Sequence, residues 1–244
     1  MKKKTPTLTI ITICYNIKDE IERTCKSIID QTWQDFEWIV IDGGSTDGTV
    51  DVLKKYADRI DVLISEPDKG IYNAMNKGIK LAHGEWLNFM NGGDCFAAND
   101  VLEKVFKNKE YDADILYGNM NFCKKRKTVS QMQYPHQVDK IYFHDGRIGH
   151  QAAFIKYNLF EKYGLYNEKY KIASDWEKWI IFTENNCVFQ HLDFIVCNFD
   201  IEGISSTNLT CSYKEIASVL ADFYSQKSKY YLFGFIPLLK IEEK

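Results

Sequence analysis

The chain has 244 residues, 45% hydrophobic, 27% charged and 14% aromatic, an ordinary composition for a globular protein whose core needs no staples. Lys+Arg 31 against Asp+Glu 34 leaves a net charge of -3, which argues against a broad nucleic-acid-binding face. Seven cysteines are an odd number with no C-x-x-C pair, so a disulfide framework and a ribbon-type zinc site are not expected, and a reducing compartment is.

Lys2-Lys3-Lys4 before Leu8–Tyr15 imitates the start of a signal peptide, but Thr7, Thr9 and Thr12 interrupt the apolar stretch. The run then meets Asn16, Lys18, Asp19 and Glu20 with no small-residue cleavage site, and reads instead as a buried strand. No segment reaches the roughly 18 uncharged apolar residues that a membrane span requires. Lys18–Thr32 carries a helical apolar rhythm in Ile21, Cys25, Ile28 and Ile29. Trp38–Ile41 is a second strand, Thr49–Tyr56 a helix, Asp61–Ser65 a third strand and Gly70–His83 a helix. Trp86–Met90 is a fourth strand, ending at Asn91-Gly92-Gly93-Asp94. This alternation predicts an α/β fold built on a parallel sheet. Ligands bind such sheets beyond the carboxyl ends of the strands, where Asp42, Asp68 and Asp94 are expected to converge on one crevice.

Beyond residue 112 the alternation weakens. Ile115–Tyr117 and Val129–Gln133 read as strands separated by the basic run Lys124–Lys127, a solvated hairpin tip. A polar and aromatic stretch extends to Ala173. Asp175–Thr183 resembles a helix, Cys187–Val196 contains a strand, and Tyr213–Tyr231 reads as a long helix. Without repeat or linker, one domain is expected over 1–244: a nucleotide-binding half (5–112), an acceptor half (113–212) and a C-terminal helix with an apolar tail (213–244).

Four clusters exceed what folding alone asks for. Asp42-Gly43-Gly44-Ser45-Thr46-Asp47-Gly48-Thr49 joins a strand to a helix; Asp47 or Thr46 suits the helix cap, and Asp42 remains free to accept a base N–H or a ribose hydroxyl. G-x-G-x-x-G is absent, which disfavours NAD. Asn91 and Asp94 together suit a hard cation that also takes diphosphate oxygens. Ser174-Asp175-Trp176-Glu177 opens a helix with two carboxylates that point in different directions; one suits a general base, the other a cap or an acceptor-hydroxyl contact. His150-Gln151 follows Gly149 in a polar loop and suits sugar hydroxyls. No Ser-His-Asp or Cys-His arrangement supports nucleophilic catalysis.

Together these residues resemble the family 2 glycosyltransferases, enzymes of the GT-A fold that use nucleotide sugars in bacterial polysaccharide assembly. The matching stretches are Thr9–Asn16, Ile41–Thr49, Ser65–Gly78 and Gly84–Asp94, followed by His150-Gln151 and Ala173–Glu177. The resemblance implies a Rossmann-like GT-A fold, a mixed, mainly parallel sheet flanked by helices. It implies a UDP-sugar donor, with Tyr15 stacked near the uracil, Asp42 on its N3–H, Asp68 on base or ribose, and Asn16 and Lys77 among the nucleotide contacts. Asp94, with Asn91, would coordinate Mn²⁺ or Mg²⁺ on the diphosphate. Asp175 would be the general base of an inverting displacement onto a glycan or lipid-linked acceptor, with His150, Gln151, Trp176 and Glu177 as sugar or acceptor contacts. The family often carries Asp-Asp where Asp42-Gly43 stands, and Asp-x-Asp where Asn91 replaces an acid; Ser174 replaces the Glu of its Glu-Asp pair.

The C-terminal stretch Tyr230–Ile241 is apolar and aromatic, flanked by Lys227, Lys229, Lys240 and Lys244. It is too short to span a bilayer. Two readings stand: an interfacial anchor through residues 227–244 on the inner face of the plasma membrane, or packing over the core or in a homo-oligomer contact. A cytoplasmic placement goes with both. The alternative to an enzyme is a catalytically silent nucleotide-sugar-binding module of an assembly complex.

Overall fold

Leu8–Cys14 forms strand β1 and is buried along its whole length, as an unbroken β-branched run requires of a strand covered on both faces. The computed structural model describes residues 5–203 and 209–223. After β1 come α1 (Lys18–Ile29), β2 (Phe36–Asp42), α2 (Thr49–Leu53, continued by a 3₁₀ turn to Tyr56), β3 (Val62–Ser65), α3 (Ile71–Leu81) and β4 (Trp86–Phe89). Each expected element of this half is present, with its ends within a few residues of the sequence reading.

The second half contains more structure than its sequence suggests. Two-residue β5 (Cys95–Phe96) and α4 (Val101–Phe106) follow β4. The expected strand at Ile115–Tyr117 runs on as β6 (Ile115–Lys124) and pairs with β7 (Lys127–Met132). Lys125 and Arg126 make the hairpin turn with φ of 47° and 65°. The polar and aromatic stretch before Ala173 holds α5 (Tyr142–Asp145), β8 (Ala153–Lys156) and α6 (Tyr157–Tyr163). The chain continues through α7 (Ser174–Glu184), β9 (Phe189–Asp200) and α8 (Leu209–Phe223). The expected continuation of α8 to Tyr231, and the apolar tail 227–244, lie outside the described residues.

One nine-stranded sheet runs β3-β2-β1-β4-β8-β6-β9-β5, with β7 on β6. β1 to β4 are mutually parallel, and the turn to antiparallel pairing comes at β8 on β4. β9 then lies parallel to β6, while β5 is antiparallel to β9. The carboxyl ends of β1, β2 and β4 therefore share an edge with the loop entering β8 and with the end of β9.

Trp38, Phe89, Phe154, Phe160, Trp179 and Phe182 are among the largest fully buried side chains, so one core continues under both halves. Lys178 is buried within it, its Nζ bonded to the carbonyls of Gly164 and Leu165 at 2.9 Å and of Tyr163 at 3.3 Å. Burial pushes its pKa down to about 8. The ammonium closes the open carboxyl end of α6 and ties it to α7.

Candidate active site

A cleft of about 1050 Å³ opens at the shared strand edge, between the end of β1, the turn after β4, the loop before β8 and the start of α7. Tyr15, Asp68, Asn91, Asp94, His150, Gln151, Asp175 and Trp176 all line it.

At the nucleotide end, Tyr15 stands 61% exposed, a large aromatic face in an otherwise well-packed half. It faces Asp68 across Gly43: a Cβ on Gly43 would come within 2.7 Å of Asp68 Oδ2 and 3.3 Å of Tyr15 Cδ2. Asp68 Oδ1 accepts the Gly70 N–H at 2.8 Å.

Asp42 does not join them. It is fully buried, and its two oxygens accept from the Gly44 and Ser45 N–H groups, the Ser45 and Ser65 hydroxyls and the Cys14 thiol. Five donors exhaust a carboxylate's roughly four lone-pair sites. Burial alone would raise its pKa, yet the serine hydroxyls and the Ser45 N–H together hold it below the ordinary value. The expected base contact is thus corrected: Asp42 shapes the turn beneath the cleft.

Asn16 and Lys77 also build walls rather than line the cleft. The Asn16 side-chain oxygen accepts the Thr46 N–H at 2.9 Å, and the Asn16 backbone N–H donates to Ser45 Oγ at 2.7 Å. Lys77 Nζ pairs with Glu66 Oε1 at 2.8 Å, steadying the loop that presents Asp68. The N-cap position of α2 is Gly48 rather than the expected Asp47 or Thr46; Asp47, one residue earlier, accepts the Thr49 N–H that opens α2 and the Lys18 N–H that opens α1, both at 2.9 Å.

At the centre, Asp94 is 5% exposed. Its Oδ1 accepts the Asp200 N–H and its Oδ2 the Gln151 amide, both at 2.8 Å. Burial pushes its carboxyl up to about 6, against the lowering pull of those bonds and of His150 and Arg23. The Asn91 side-chain oxygen is buried, without a hydrogen-bond partner, on a residue that lines the same cleft. A carboxylate short of positive charge beside an orphaned amide oxygen fits an oxygen-seeking divalent cation.

At the far end, Asp175 Oδ2 lies 3.0 Å from His150 Nδ1, and Oδ1 accepts the Tyr72 hydroxyl at 3.0 Å and the Trp176 N–H at 2.8 Å. Burial raises its pKa, but the His150 hydrogen bond and charge, then Tyr72 and Trp176, outweigh that and keep it below the ordinary aspartate value. His150 Nε2 in turn lies 2.9 Å from Asn91 Nδ2. A continuous chain of contacts, Asn91–His150–Asp175–Tyr72, therefore spans the cleft. Neither carboxylate of the motif is the cap: α7 has Ala173 as its N-cap residue with no side-chain cap bond, and Ser174 Oγ accepts the Asn167 N–H at 2.6 Å. Glu215 on α8 instead fixes the chain that leads into α7, accepting the N–H groups of Lys171, Ile172 and Ala173 at 2.7–3.0 Å.

Trp176 lines the cleft, with Arg147 5.5 Å over its ring and Nε1 bonded to the Phe143 carbonyl. Glu177 does not reach it: 7% exposed on another face of α7, it accepts the Asn167 amide at 3.0 Å. The expected sugar or acceptor contact at Glu177 is corrected by helix geometry, since positions two apart face different ways. The sequence reading missed Tyr72 and Arg147, which also border the cleft, and Glu215, which holds α7. Tyr72 sits in an apolar helical rhythm that signals core, and its hydroxyl reaches Asp175 only through a contact 103 positions away. Lys125 and Arg126, the hairpin tip, also stand on the cleft rim.

The family model for glycosyl transferase family 2 matches residues 9–184. The chain belongs to this family. It is 31% identical over 209 residues to a PGL/p-HBAD biosynthesis glycosyltransferase of Mycobacterium bovis (strain BCG / Pasteur 1173P2), covering 83% of this chain and 80% of that one. In structure it resembles S. aureus TarS; the crystal structure of TarS 1–349 with UDP-GlcNAc gives a TM-score of 0.71 at 18% identity over 91% of this chain and 68% of that chain. Against the longer TarS structure the chain spans 41% of its length. The mannosyltransferase PcManGT from Pyrobaculum calidifontis, in complex with GDP-Man and Mn2+, gives a TM-score of 0.66 at 18% identity, over 89% of this chain and 64% of that one. The fold of this family 2 member is GT-A.

Proposed function

We propose that this family 2 member transfers a sugar, with inversion, from a UDP-sugar to a hydroxyl group of a glycan acceptor, Asp175 acting as general base. The observation that carries the reading is the chain Asn91–His150–Asp175, which holds a carboxylate ready to take a proton across one cleft from the oxygen-rich Asn91 and Asp94 pair.

The exposed ring of Tyr15 offers the uracil a stacking face, and Asp68 beside it offers a carboxylate to base or ribose. Asp94 and Asn91 are the residues that would hold Mn²⁺ or Mg²⁺, which when bound supplies positive charge against the departing diphosphate. Asp175 stays ionised because three donors hold its pKa down, and it accepts the proton of the acceptor hydroxyl as that oxygen attacks the anomeric carbon. His150 fixes the orientation of the Asp175 carboxylate, and Tyr72 holds the second oxygen. A single displacement from a UDP-α-sugar gives a β-linked product.

The UDP-GlcNAc complex of TarS supports a UDP-sugar donor, and the Mn2+ complex of PcManGT supports a divalent cation. The name of the mycobacterial relative supports a role in bacterial glycan biosynthesis. A lipid-linked acceptor at the cytoplasmic membrane face is the reading favoured by the aromatic and lysine-rich composition of residues 227–244.

The test is calorimetric titration of UDP-sugars with Mn²⁺ and again with EDTA, followed by turnover assays and NMR of the product. Metal-dependent binding of one UDP-sugar and a β-linked product are expected. An α-linkage from an α-donor would sink the single displacement, and binding without turnover on any acceptor would favour the silent binding module.

A further inference from the structure

A second cluster of ligand atoms lies outside the cleft. One ring nitrogen from each of His136 and His191 and a carboxylate oxygen of Asp193 all fall within 4.8 Å of one another. His136 belongs to the connection between β7 and α5, and His191 and Asp193 to β9, so the three come from two distant stretches of the chain.

The hydrogen bonds around His191 fix which of its nitrogens carries a lone pair. The Asn119 side-chain oxygen is identified by the Tyr134 N–H it accepts at 2.9 Å. That same oxygen lies 3.1 Å from His191 Nε2, so Nε2 must be the protonated, donating nitrogen. His191 Nδ1 is then the free lone pair, and it points at His136 Nδ1 from 3.2 Å. An imidazole whose outer nitrogen donates to a fixed oxygen while its inner one is bare has the tautomer and orientation of a metal ligand. The spacing fits as well: two nitrogens 3.2 Å apart and each about 2.0–2.1 Å from one zinc ion subtend about 100–105°, close to tetrahedral.

We propose that His136 Nδ1, His191 Nδ1 and the Asp193 carboxylate form a binding site for a divalent transition metal of the zinc class. Two imidazoles and one carboxylate select zinc or cobalt over magnesium, and three protein ligands leave a fourth position to water. Binding takes the proton that His136 Nδ1 directs at His191 and returns it to His136 Nε2 through solvent, so both imidazoles ligate as neutral rings with no net proton released. The cation joins β9 to the 134–136 connection, whose Tyr134 hydroxyl accepts the Gly149 N–H at 2.9 Å, one residue before His150. The site thereby braces the wall that carries the cleft histidine, and it does not depend on the function proposed above.

Tag-free protein stripped with EDTA is titrated with Zn²⁺ and with Co²⁺, following melting temperature and the visible absorption of cobalt. Asp94→Asn removes the carboxylate in the cleft, while His136→Ala and Asp193→Asn alter two exposed residues whose loss leaves the metal-free melting temperature unchanged. The Asp94→Asn protein is expected to bind one cobalt ion with tetrahedral-type bands. Its melting temperature is expected to rise by roughly 5–10 °C with zinc at about a hundred times its dissociation constant. Both effects are expected to vanish when His136→Ala or Asp193→Asn is added. Zinc uptake and stabilisation that are the same with and without His136 would overturn the proposal, as would no zinc response in Asp94→Asn.

Discussion

His150 Nδ1 lies 3.0 Å from Asp175 Oδ2, while the opposite nitrogen of the same ring lies 2.9 Å from the Asn91 amide. The Asn91 amide nitrogen can only donate, so Nε2 accepts from it and Nδ1 donates to the carboxylate. One ring thus joins the turn after β4 to the first turn of α7. The same donation leaves the Asn91 oxygen without a protein partner beside Asp94.

Asp175→Asn keeps the size and shape of the side chain but cannot take a proton, and its amide nitrogen no longer accepts a hydrogen bond where one carboxylate oxygen did. Turnover is expected to fall about 10²–10⁴-fold, with UDP-sugar affinity nearly unchanged. Steady-state kinetics paired with calorimetry checks this. A parallel loss of donor affinity would mean that Asp175 binds rather than catalyses.

His150→Ala removes the largest of the interactions that lower the Asp175 pKa. The acid limb of the kcat profile reports the pH below which the base is protonated, so a raised pKa moves that limb toward higher pH. Turnover at neutral pH is expected to fall about 10–100-fold. An unshifted acid limb would show that His150 does not tune Asp175.

Asp94→Asn is expected to weaken Mn²⁺ binding by at least about tenfold, with Asn91→Ala losing less, because the carboxylate supplies the charge. Manganese titration in the presence of UDP reads both. In EDTA at neutral pH the Asp94→Asn protein is expected to melt no lower than the wild type, since burial penalises the Asp94 charge.

Gly43→Asp restores the Asp-Asp pair frequent in the family, yet here it is expected to impair the nucleotide end. The new Cβ would lie 2.7 Å from Asp68 Oδ2, and a second carboxylate there repels the first. UDP affinity is expected to drop about tenfold or more. Recovery of affinity in Gly43→Asp combined with Asp68→Gly would identify the two as occupants of one space.

Gly84→Ala tests the packing of the parallel half. A Cβ at Gly84 would approach the Thr9 N and Leu8 C atoms of β1 at 2.4 and 2.6 Å, and backbone in a central strand cannot step aside. The expected cost is about 2–3 kcal/mol, read from chemical denaturation.

The first ninety residues were legible because the strands there are short runs rich in β-branched and apolar residues and the longer helices carry a 3.6-residue rhythm between glycine-containing turns. Tyr15, Asp68, Asn91 and Asp94 could be named because they stand at the ends of those strands. From residue 95 onward the signal thins: β5 is two residues long, and α5 and α6 are too short to show a period. β8 is a four-residue strand whose partners, β4 and β6, lie far away in sequence.

Local periodicity and turn chemistry depend on near neighbours alone, so the parallel βα half, its strand ends and the residue types that gather there could be read from the chain directly. Which carboxylates are free depends instead on packing between distant segments. Asp42 and Asp68 look alike at the ends of their turns, yet five donors from the 14, 44–45 and 65 positions exhaust the first and leave the second facing the cleft. The pairing of His150 with both Asn91 and Asp175 was equally out of reach, since it spans 59 and 25 positions and exists only once the antiparallel strand β8 has docked beside β4.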